Sequence, residues 1–278
     1  MRGTFTAGVL EAFAEEWGSG RGVFDYVVAC SAGVCNAASF LAEQPRRNRQ
    51  VYLEFLDGSK LIRWSRLFTG GNVMDIDYLT DDVTARLCPL DLDKLRRCPM
   101  PLYIGVMDAV TGESRYLNSH TDDLMTAFRA TCALPGFYRR DLFYDGRRYI
   151  DGGVSDPVPV RKAIELGANE LIVVLTSAIE NRTVKRWPPP GWLRFMSPDP
   201  AVRKALADRH LRYRDVADLL SNPGPGIRVH VIRPSRPLPV GRATRNRSKL
   251  ELACELGHED GREFIERIRE IRKSGNQE

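Results

Sequence analysis

The longest run of residues without a charge, residues 26–42, most constrains the fold of this chain. It begins inside a β-rich apolar segment (residues 24–29), passes through Ser31 and continues with apolar residues at helical spacing. The run is shorter than the roughly 18 residues that suggest a membrane-spanning helix. It also contains the polar residues Asn36 and Ser39. We therefore interpret it as a buried strand that leads into a helix, and not as a membrane span.

Strand-like apolar segments alternate with helical periodicity along the rest of the chain. The predicted strands cover residues 102–107, 115–117, 148–150, 170–176 and 227–233. The predicted helices cover residues 6–17, 122–131, 160–166 and 260–273. This alternation is typical of α/β proteins and favours a sandwich with a mostly parallel central sheet.

Composition narrows the class of protein. The net charge is +5, with 41 basic and 36 acidic residues interspersed, which allows weak attraction to an anionic membrane but does not indicate nucleic-acid binding. The six cysteines form no C-x-x-C pair and no zinc-like Cys/His spacing, so we expect reduced thiols and no metal. Glu11, Glu15 and Glu16 lie where a secretory signal needs an apolar core, so we expect a cytoplasmic protein.

The segment Ala29-Cys30-Ser31-Ala32-Gly33 is the part of the sequence that most indicates a catalytic function. A serine on a tight turn between a strand and a helix is the arrangement of a nucleophile elbow, usually G-x-S-x-G. Small residues are needed two positions before and after the serine; Gly33 meets this demand, whereas Ala29 adds a methyl group. The alternative interpretation is a serine that caps an ordinary buried helix.

A nucleophilic serine needs a base. The chain has four histidines, and none has a persuasive sequence setting, although an order Ser…Asp…His that ends at His258 stays an alternative. A better candidate is Asp151, which follows a short predicted strand and precedes Gly152 and Gly153. The alternative for Asp151 is a common Asp-Gly turn.

Taken together, these segments resemble the patatin-like phospholipase family. Its pattern is a G-G-x-R-G loop, a G-x-S-x-G elbow and a D-G-G or D-G-A motif, which here read Met1-Arg2-Gly3, residues 29–33 and residues 151–153. The resemblance implies a three-layer α/β sandwich over residues 1–200. Residues 201–278 are similar to the C-terminal extension of bacterial members and are expected to form an α/β unit packed on it.

The resemblance also implies a mechanism. Ser31 would be the nucleophile and Asp151 its base, without a histidine. Arg2, Gly3 and Ala32 would bind the oxyanion. The substrates would be lipid acyl esters such as phospholipids, with no metal or cofactor. A peripheral membrane contact through the aromatic segment 187–196 is one interpretation of that segment, and burial of its tryptophans is the other.

Two departures from the family pattern bear on activity. One is Ala29 in place of the elbow's first glycine. The other is that Met1 lies inside the glycine-rich motif, so we expect an N-terminal truncation that removes the preceding strand and weakens or abolishes activity. A catalytically inactive lipid-binding or regulatory protein of the same fold therefore stays an alternative to the hydrolase.

Overall fold

The computed structural model describes residues 1–177 and 192–275, and a mixed five-stranded sheet forms its centre. The strands are β1 (Val27–Cys30), β2 (Leu102–Asp108), β3 (Ser114–Asn118), β4 (Leu142–Tyr144), β5 (Arg147–Asp151), β6 (Glu170–Val174) and β7 (Arg228–Ile232). The first five form the central sheet, while β6 and β7 pair with each other in parallel.

Helices lie near both ends of the described chain and in the longer connections between strands. They are α1 (Gly3–Trp17), α2 (Ala32–Leu41), α3 (Pro45–Gln50), α4 (Leu92–Arg97), α5 (Leu124–Cys132), α6 (Val160–Glu165), α7 (Leu193–Met196), α8 (Pro200–Ser221) and α9 (Arg247–Gly275). Two segments, Val51–Phe55 and Tyr78–Leu87, are π-helical, and Trp64–Leu67 and Gly152–Val154 form 3₁₀ turns. No helix in this part of the chain is long and apolar enough to cross a membrane.

The α/β class is confirmed, but the mostly parallel central sheet is not. In the five-stranded sheet only β1 and β2 are parallel, whereas β2 pairs antiparallel with β3 and β5, and β4 pairs antiparallel with β5. The antiparallel pairing has a local cause, because two of these pairs, β2–β3 and β4–β5, are hairpins. The β4–β5 turn is Asp145-Gly146, and both residues have positive φ (49° and 68°), as a tight hairpin turn requires. The three-layer arrangement stays a prediction.

Helix α9 packs against α1 with the two backbones in close approach. A Cβ placed on Gly8 would lie 1.9 Å from the carbonyl oxygen of Cys254, and one placed on Gly257 would lie 2.0 Å from that of Phe5. The N-terminal and C-terminal segments therefore share one hydrophobic core, which includes Phe5 and Phe264. The domain boundary near residue 200 stays a prediction.

Helix α9 is longer than the predicted helix over 260–273. It begins at Arg247 because Leu250, Ala253, Cys254 and Leu256 are buried as well. All six cysteines are free thiols, as expected, although the Cys35 and Cys132 sulfurs lie only 4.0 Å apart.

Candidate active site

The register of the central sheet brings the two halves of the predicted site together. Strand β3 pairs along one edge of β2, so β1 and β5 share the other edge. Cys30 at the end of β1 pairs with Gly105, and Asp151 at the end of β5 pairs with the next residue, Val106. Because β1 and β5 run in opposite directions, their last residues meet, and Ser31 follows directly after Cys30.

Ser31 has a strained backbone, with φ 53° and ψ −132°. Non-glycine residues rarely adopt positive φ, and such strain persists only where the surroundings hold the conformation. Here the Ser31 amide donates a hydrogen bond to Thr131 Oγ1 (2.8 Å), and the Thr131 hydroxyl donates to the Gly105 carbonyl (2.7 Å). Thr131 therefore fixes the serine turn to β2.

The Ser31 hydroxyl donates a hydrogen bond to Asp151 Oδ2 at 2.9 Å, and the Gly153 amide donates to Asp151 Oδ1 at 2.7 Å. The Asp151 residue is only 5% exposed. Burial raises the pKa of this carboxyl, against the opposing effects of the two hydrogen bonds and of the positive charges of Arg209 and Arg242. A carboxylate with a raised pKa is a stronger base than an ordinary aspartate.

Gly152 allows this approach because it has no side chain. A Cβ at position 152 would lie 2.3 Å from the carbonyl oxygen of Gly105, so any other residue would push the Asp151 turn away from β2. The tighter demand at Gly152 is this close contact with β2, beyond the sharp turn that two glycines permit.

The departure at Ala29 fits the elbow without distortion. A Cβ placed on Gly33 would lie 3.7 Å from the Ala29 Cβ, which is an ordinary van der Waals contact. The extra methyl group of Ala29 therefore leaves room for the turn, and its presence gives no steric reason for Ser31 to be displaced.

The predicted oxyanion-binding residues lie beside the serine turn. Gly3 begins α1 and Ala32 begins α2, and a Cβ on Gly3 would lie 3.1 Å from the Ala32 Cβ. Amides in the first turn of a helix have no acceptor within that helix. Arg2 precedes Gly3 as the N-cap residue of α1 and lines the same cavity as Ser31.

A cavity of about 930 Å³ opens onto the Ser31–Asp151 pair. Near the pair its wall includes the apolar side chains of Leu134, Met196 and Leu206. It then extends between β1 and β6, each of which pairs on only one edge within the described ranges. The apolar side chains in this wall suit an acyl chain, whereas the part of the volume between β1 and β6 runs along strand edges that have no strand partner among the described residues.

The four histidines make their hydrogen bonds elsewhere. The hydrogen-bonded pairs are His120 Nε2 with Cys98 O, His210 Nδ1 with Ala207 O, His230 Nε2 with Glu170 Oε1, and His258 Nε2 with Glu15 Oε2. None of the four lines the cavity as the structure describes it. Nor do the described residues include a group of three or more metal-ligating side chains arranged to hold an ion.

Sequence reasoning missed three residues of this cavity, Arg209, Tyr213 and Arg242. Arg209 Nε donates a hydrogen bond to the Gly153 carbonyl at 3.0 Å, and the amide of the same glycine donates to Asp151. The signal lay in α8, where Val202, Leu206 and Val216 are buried. Arg209 and Tyr213 continue that stripe at helical spacing, and polar residues on the buried face of a helix point to a site.

The aromatic segment 187–196 is described only from Trp192 onward, so the prediction for Trp187 lies outside the described residues. Trp192 is 62% exposed and Phe195 is 70% exposed, while Met196 lines the cavity. Burial of the tryptophans, one of the two interpretations of this segment, therefore does not hold for Trp192.

Comparison with known proteins identifies the family of the chain. Residues 1–164 match the model of the patatin-like phospholipases, and residues 199–273 match a domain of unknown function, DUF6363. The chain is also similar to the uncharacterized protein YjjU of Escherichia coli (strain K12), with 31% identity over 244 residues that cover 86% of this chain and 67% of that protein. The chain therefore belongs to the patatin-like phospholipase family, a family of lipid acyl hydrolases.

Proposed function

We propose that this protein is a serine hydrolase of lipid acyl esters that works through Ser31 and Asp151. The observation that carries the proposal is the 2.9 Å hydrogen bond from the Ser31 hydroxyl to a buried carboxylate at the wall of a large cavity. A serine that only capped a helix would need neither a positive φ nor a carboxylate partner.

In the first half of the reaction, Asp151 accepts the Ser31 proton as Oγ attacks the ester carbonyl carbon. The tetrahedral intermediate then collapses, the carbon–oxygen bond to the alcohol breaks, and Asp151 returns the proton to the leaving alkoxide. In the second half, Asp151 takes a proton from water as the oxygen attacks the acyl-serine carbonyl carbon. The bond between that carbon and Ser31 Oγ then breaks, Asp151 returns the proton to Oγ, and the products are a carboxylic acid and free Ser31.

The negative charge of the tetrahedral intermediate needs donors that are already in place. The candidates are the amides of Gly3 and Ala32, which open two helices side by side, together with the Arg2 side chain. The positive ends of the α1 and α2 dipoles add to the same field. Loss of one such donor typically lowers kcat by about 10²–10³-fold.

The geometry favours this dyad over a histidine-dependent esterase. Each histidine is hydrogen-bonded away from Ser31, and the Asp151 carboxylate already occupies the place of a base. Among the alternatives, an inactive lipid-binding protein is disfavoured by the retained hydrogen bond of the dyad, since an idle serine gains nothing from a strained backbone.

Peripheral contact with a membrane is part of the proposal. Trp192 and Phe195 are exposed on the segment that also places Met196 in the cavity wall. Tryptophan favours the membrane interface, and the net charge of +5 favours anionic head groups. The exposed aromatics would then hold the cavity mouth close to its lipid.

The test is hydrolysis of soluble short-chain and micellar long-chain acyl esters by wild type, Ser31→Ala and Asp151→Asn. We expect each variant to lose at least about 10³-fold in kcat/KM. The matched controls are Ser59→Ala and Asp93→Asn, which change exposed residues and should behave as wild type. Hydrolysis that survives Ser31→Ala would overturn the proposal.

A further inference from the structure

The end of helix α5 contacts the backbone of both residues of the dyad. Thr131, the last residue but one of α5, accepts the hydrogen bond of the Ser31 amide through its hydroxyl. The Ala133 carbonyl, directly after the helix, accepts a hydrogen bond from the Asp151 amide at 3.1 Å. Carbonyls at the end of a helix have no donor within that helix, so they are available to another element. Residues 131–133 therefore connect two residues whose positions in the sequence differ by 120.

The Thr131 hydroxyl makes its hydrogen bonds outside its own helix. A threonine in a helix commonly donates its hydroxyl to a carbonyl of the preceding turn. Here the hydroxyl donates to the Gly105 carbonyl at 2.7 Å and accepts from the Ser31 amide at 2.8 Å. Thr131 is fully buried, and valine has nearly the same shape without the cost of burying a hydroxyl. Packing alone therefore does not account for a hydroxyl at this position.

The Gly105 carbonyl is a contact that the two halves of the dyad share. The Thr131 hydroxyl binds it from the side of the serine turn. The Asp151 turn packs on the same atom, because a Cβ at Gly152 would lie 2.3 Å from it. The 2.9 Å distance from Ser31 Oγ to Asp151 Oδ2 therefore depends on the bond through which Thr131 ties the serine turn to β2.

The bond to Thr131 also restrains the Ser31 backbone. A positive φ persists at a non-glycine residue only where the surroundings hold it, and this bond is one such restraint. The Ser31 amide is then already bound, which leaves the oxyanion to the amides of Gly3 and Ala32. A displacement of a reacting group by about 1 Å can lower the rate by about 100-fold.

We propose that Thr131 is a positioning residue of the dyad, whose hydroxyl holds Ser31 in the conformation that reaches Asp151. Thr131 is not among the described residues that line the cavity, so it acts through the serine turn and not on the ester. The inference rests on the proposed function, because it names a residue on which catalysis by Ser31 and Asp151 depends.

The first measurement separates kcat from KM on a soluble short-chain ester. Thr131→Val should lower kcat by about 10- to 100-fold and change KM by less than about 3-fold, because the ester still binds while the dyad is misaligned. Thr131→Ser keeps the hydroxyl and should recover most of kcat. The matched control is Thr80→Val, which should behave as wild type, because it removes a buried hydroxyl that donates to the Ile76 carbonyl.

A second variant without the hydroxyl guards against a change in packing or folding. Thr131→Ala removes the same hydroxyl and adds no bulk, so we expect it to lose as much kcat as Thr131→Val. Urea titration of each variant identifies conditions in which all of them are folded, and kcat is compared there.

The third measurement is hydrogen exchange of the Ser31 amide, which needs no turnover. Mass spectrometry with fragmentation of a peptide that covers residues 26–34 follows it. We expect this amide to exchange at least about 10-fold faster in Thr131→Val than in wild type or Thr131→Ser, because it loses its acceptor. In Thr80→Val it should exchange as in wild type.

The outcomes keep the two claims apart. Wild-type kcat in folded Thr131→Val and Thr131→Ala, with activity lost in Ser31→Ala, would overturn the positioning role and leave the hydrolase standing. The same holds if Thr131→Ser loses as much kcat as Thr131→Val, or if exchange of the Ser31 amide is unchanged in Thr131→Val. A wild type that hydrolyses none of the esters would overturn the hydrolase and the positioning role together.

Discussion

At the scale of single residues, Ser31 and Asp151 each have a feature that disfavours folding. Ser31 has a strained backbone, and Asp151 has a buried carboxylate. Ser31 has φ 53°, and Asp151 is 5% exposed with a raised pKa. Each feature is an ordinary cost to folding, of order 1–3 kcal/mol for the strained backbone. Such costs are typical where the arrangement serves chemistry and not stability.

Asp151→Asn should therefore lose activity without losing stability. Because the pKa of Asp151 is raised in the folded protein, its protonated form favours folding, and this contribution is present below the ordinary aspartate pKa and lost as pH rises through the folded value. Asparagine does not titrate. We expect the free energy of unfolding of Asp151→Asn, measured in urea, to equal or exceed that of wild type at neutral pH.

The difference between the two proteins should also depend on pH. The stability advantage of Asp151→Asn should shrink as the pH falls through the folded pKa of Asp151, because the wild-type carboxyl then becomes neutral as well. Asp93→Asn, at an exposed position, serves as the control. A large loss of stability in Asp151→Asn at neutral pH would mean that the carboxylate is a structural anchor.

At the scale of helices and strands, close backbone contacts decide what the chain tolerates. Gly152 allows β5 and its turn to reach β2, and Gly8 and Gly257 allow α1 and α9 to touch. The added volume of one methyl group would force whole elements apart at each of these positions, because protein cores are close-packed.

Gly257→Ala should destabilise the protein although alanine is the better helix former. In an open helix the change would gain about 1 kcal/mol. Here the new Cβ would lie 2.0 Å from the Phe5 carbonyl oxygen, so we expect a net loss of about 2 kcal/mol or more in the free energy of unfolding. Gly33→Ala is the control, since its Cβ meets only Ala29 at 3.7 Å, and its stability should stay within about 1 kcal/mol of wild type. Equal effects of the two changes would refute the packing argument.

Elements fixed by local signals could be predicted from the sequence. The strand–serine–helix turn follows from consecutive residues, and the Asp151 turn follows from its two glycines. The Asp145-Gly146 hairpin also carried a local signal, which the expectation of a mostly parallel sheet overlooked. The meeting of β1 and β5 on one edge of β2 could not be derived in this way, because register between distant strands depends on packing across the whole sheet.

The helical spacing of α8 places Arg209 on its buried face, but the residue that Arg209 contacts could not be derived from this pattern. Nothing in the residues around Arg209 shows that it meets Gly153, which lies 56 residues earlier in the chain. The family resemblance located the dyad in the first segment, but it carried no information on the cations that the second segment contributes.

At the scale of the whole molecule, one surface should face the lipid. Trp192→Ala/Phe195→Ala should lower binding to vesicles with anionic lipids by at least about 10-fold in a pelleting assay, because it removes large exposed apolar side chains from the interface. Activity on soluble esters should be retained. The control Leu252→Ala changes an apolar residue of α9 that is 54% exposed. Unchanged pelleting of the double variant would contradict a membrane role for this segment.

The proposed function depends most on activation of Ser31 by Asp151, and fluorophosphonate labelling tests this activation directly. Intact mass and peptide mapping would follow the rate of adduct formation in wild type, Ser31→Ala and Asp151→Asn. We expect a single adduct at Ser31 in wild type, none in Ser31→Ala, and labelling slowed by at least about 100-fold in Asp151→Asn. Equal rates in wild type and Asp151→Asn, or an adduct on another residue, would contradict the central claim.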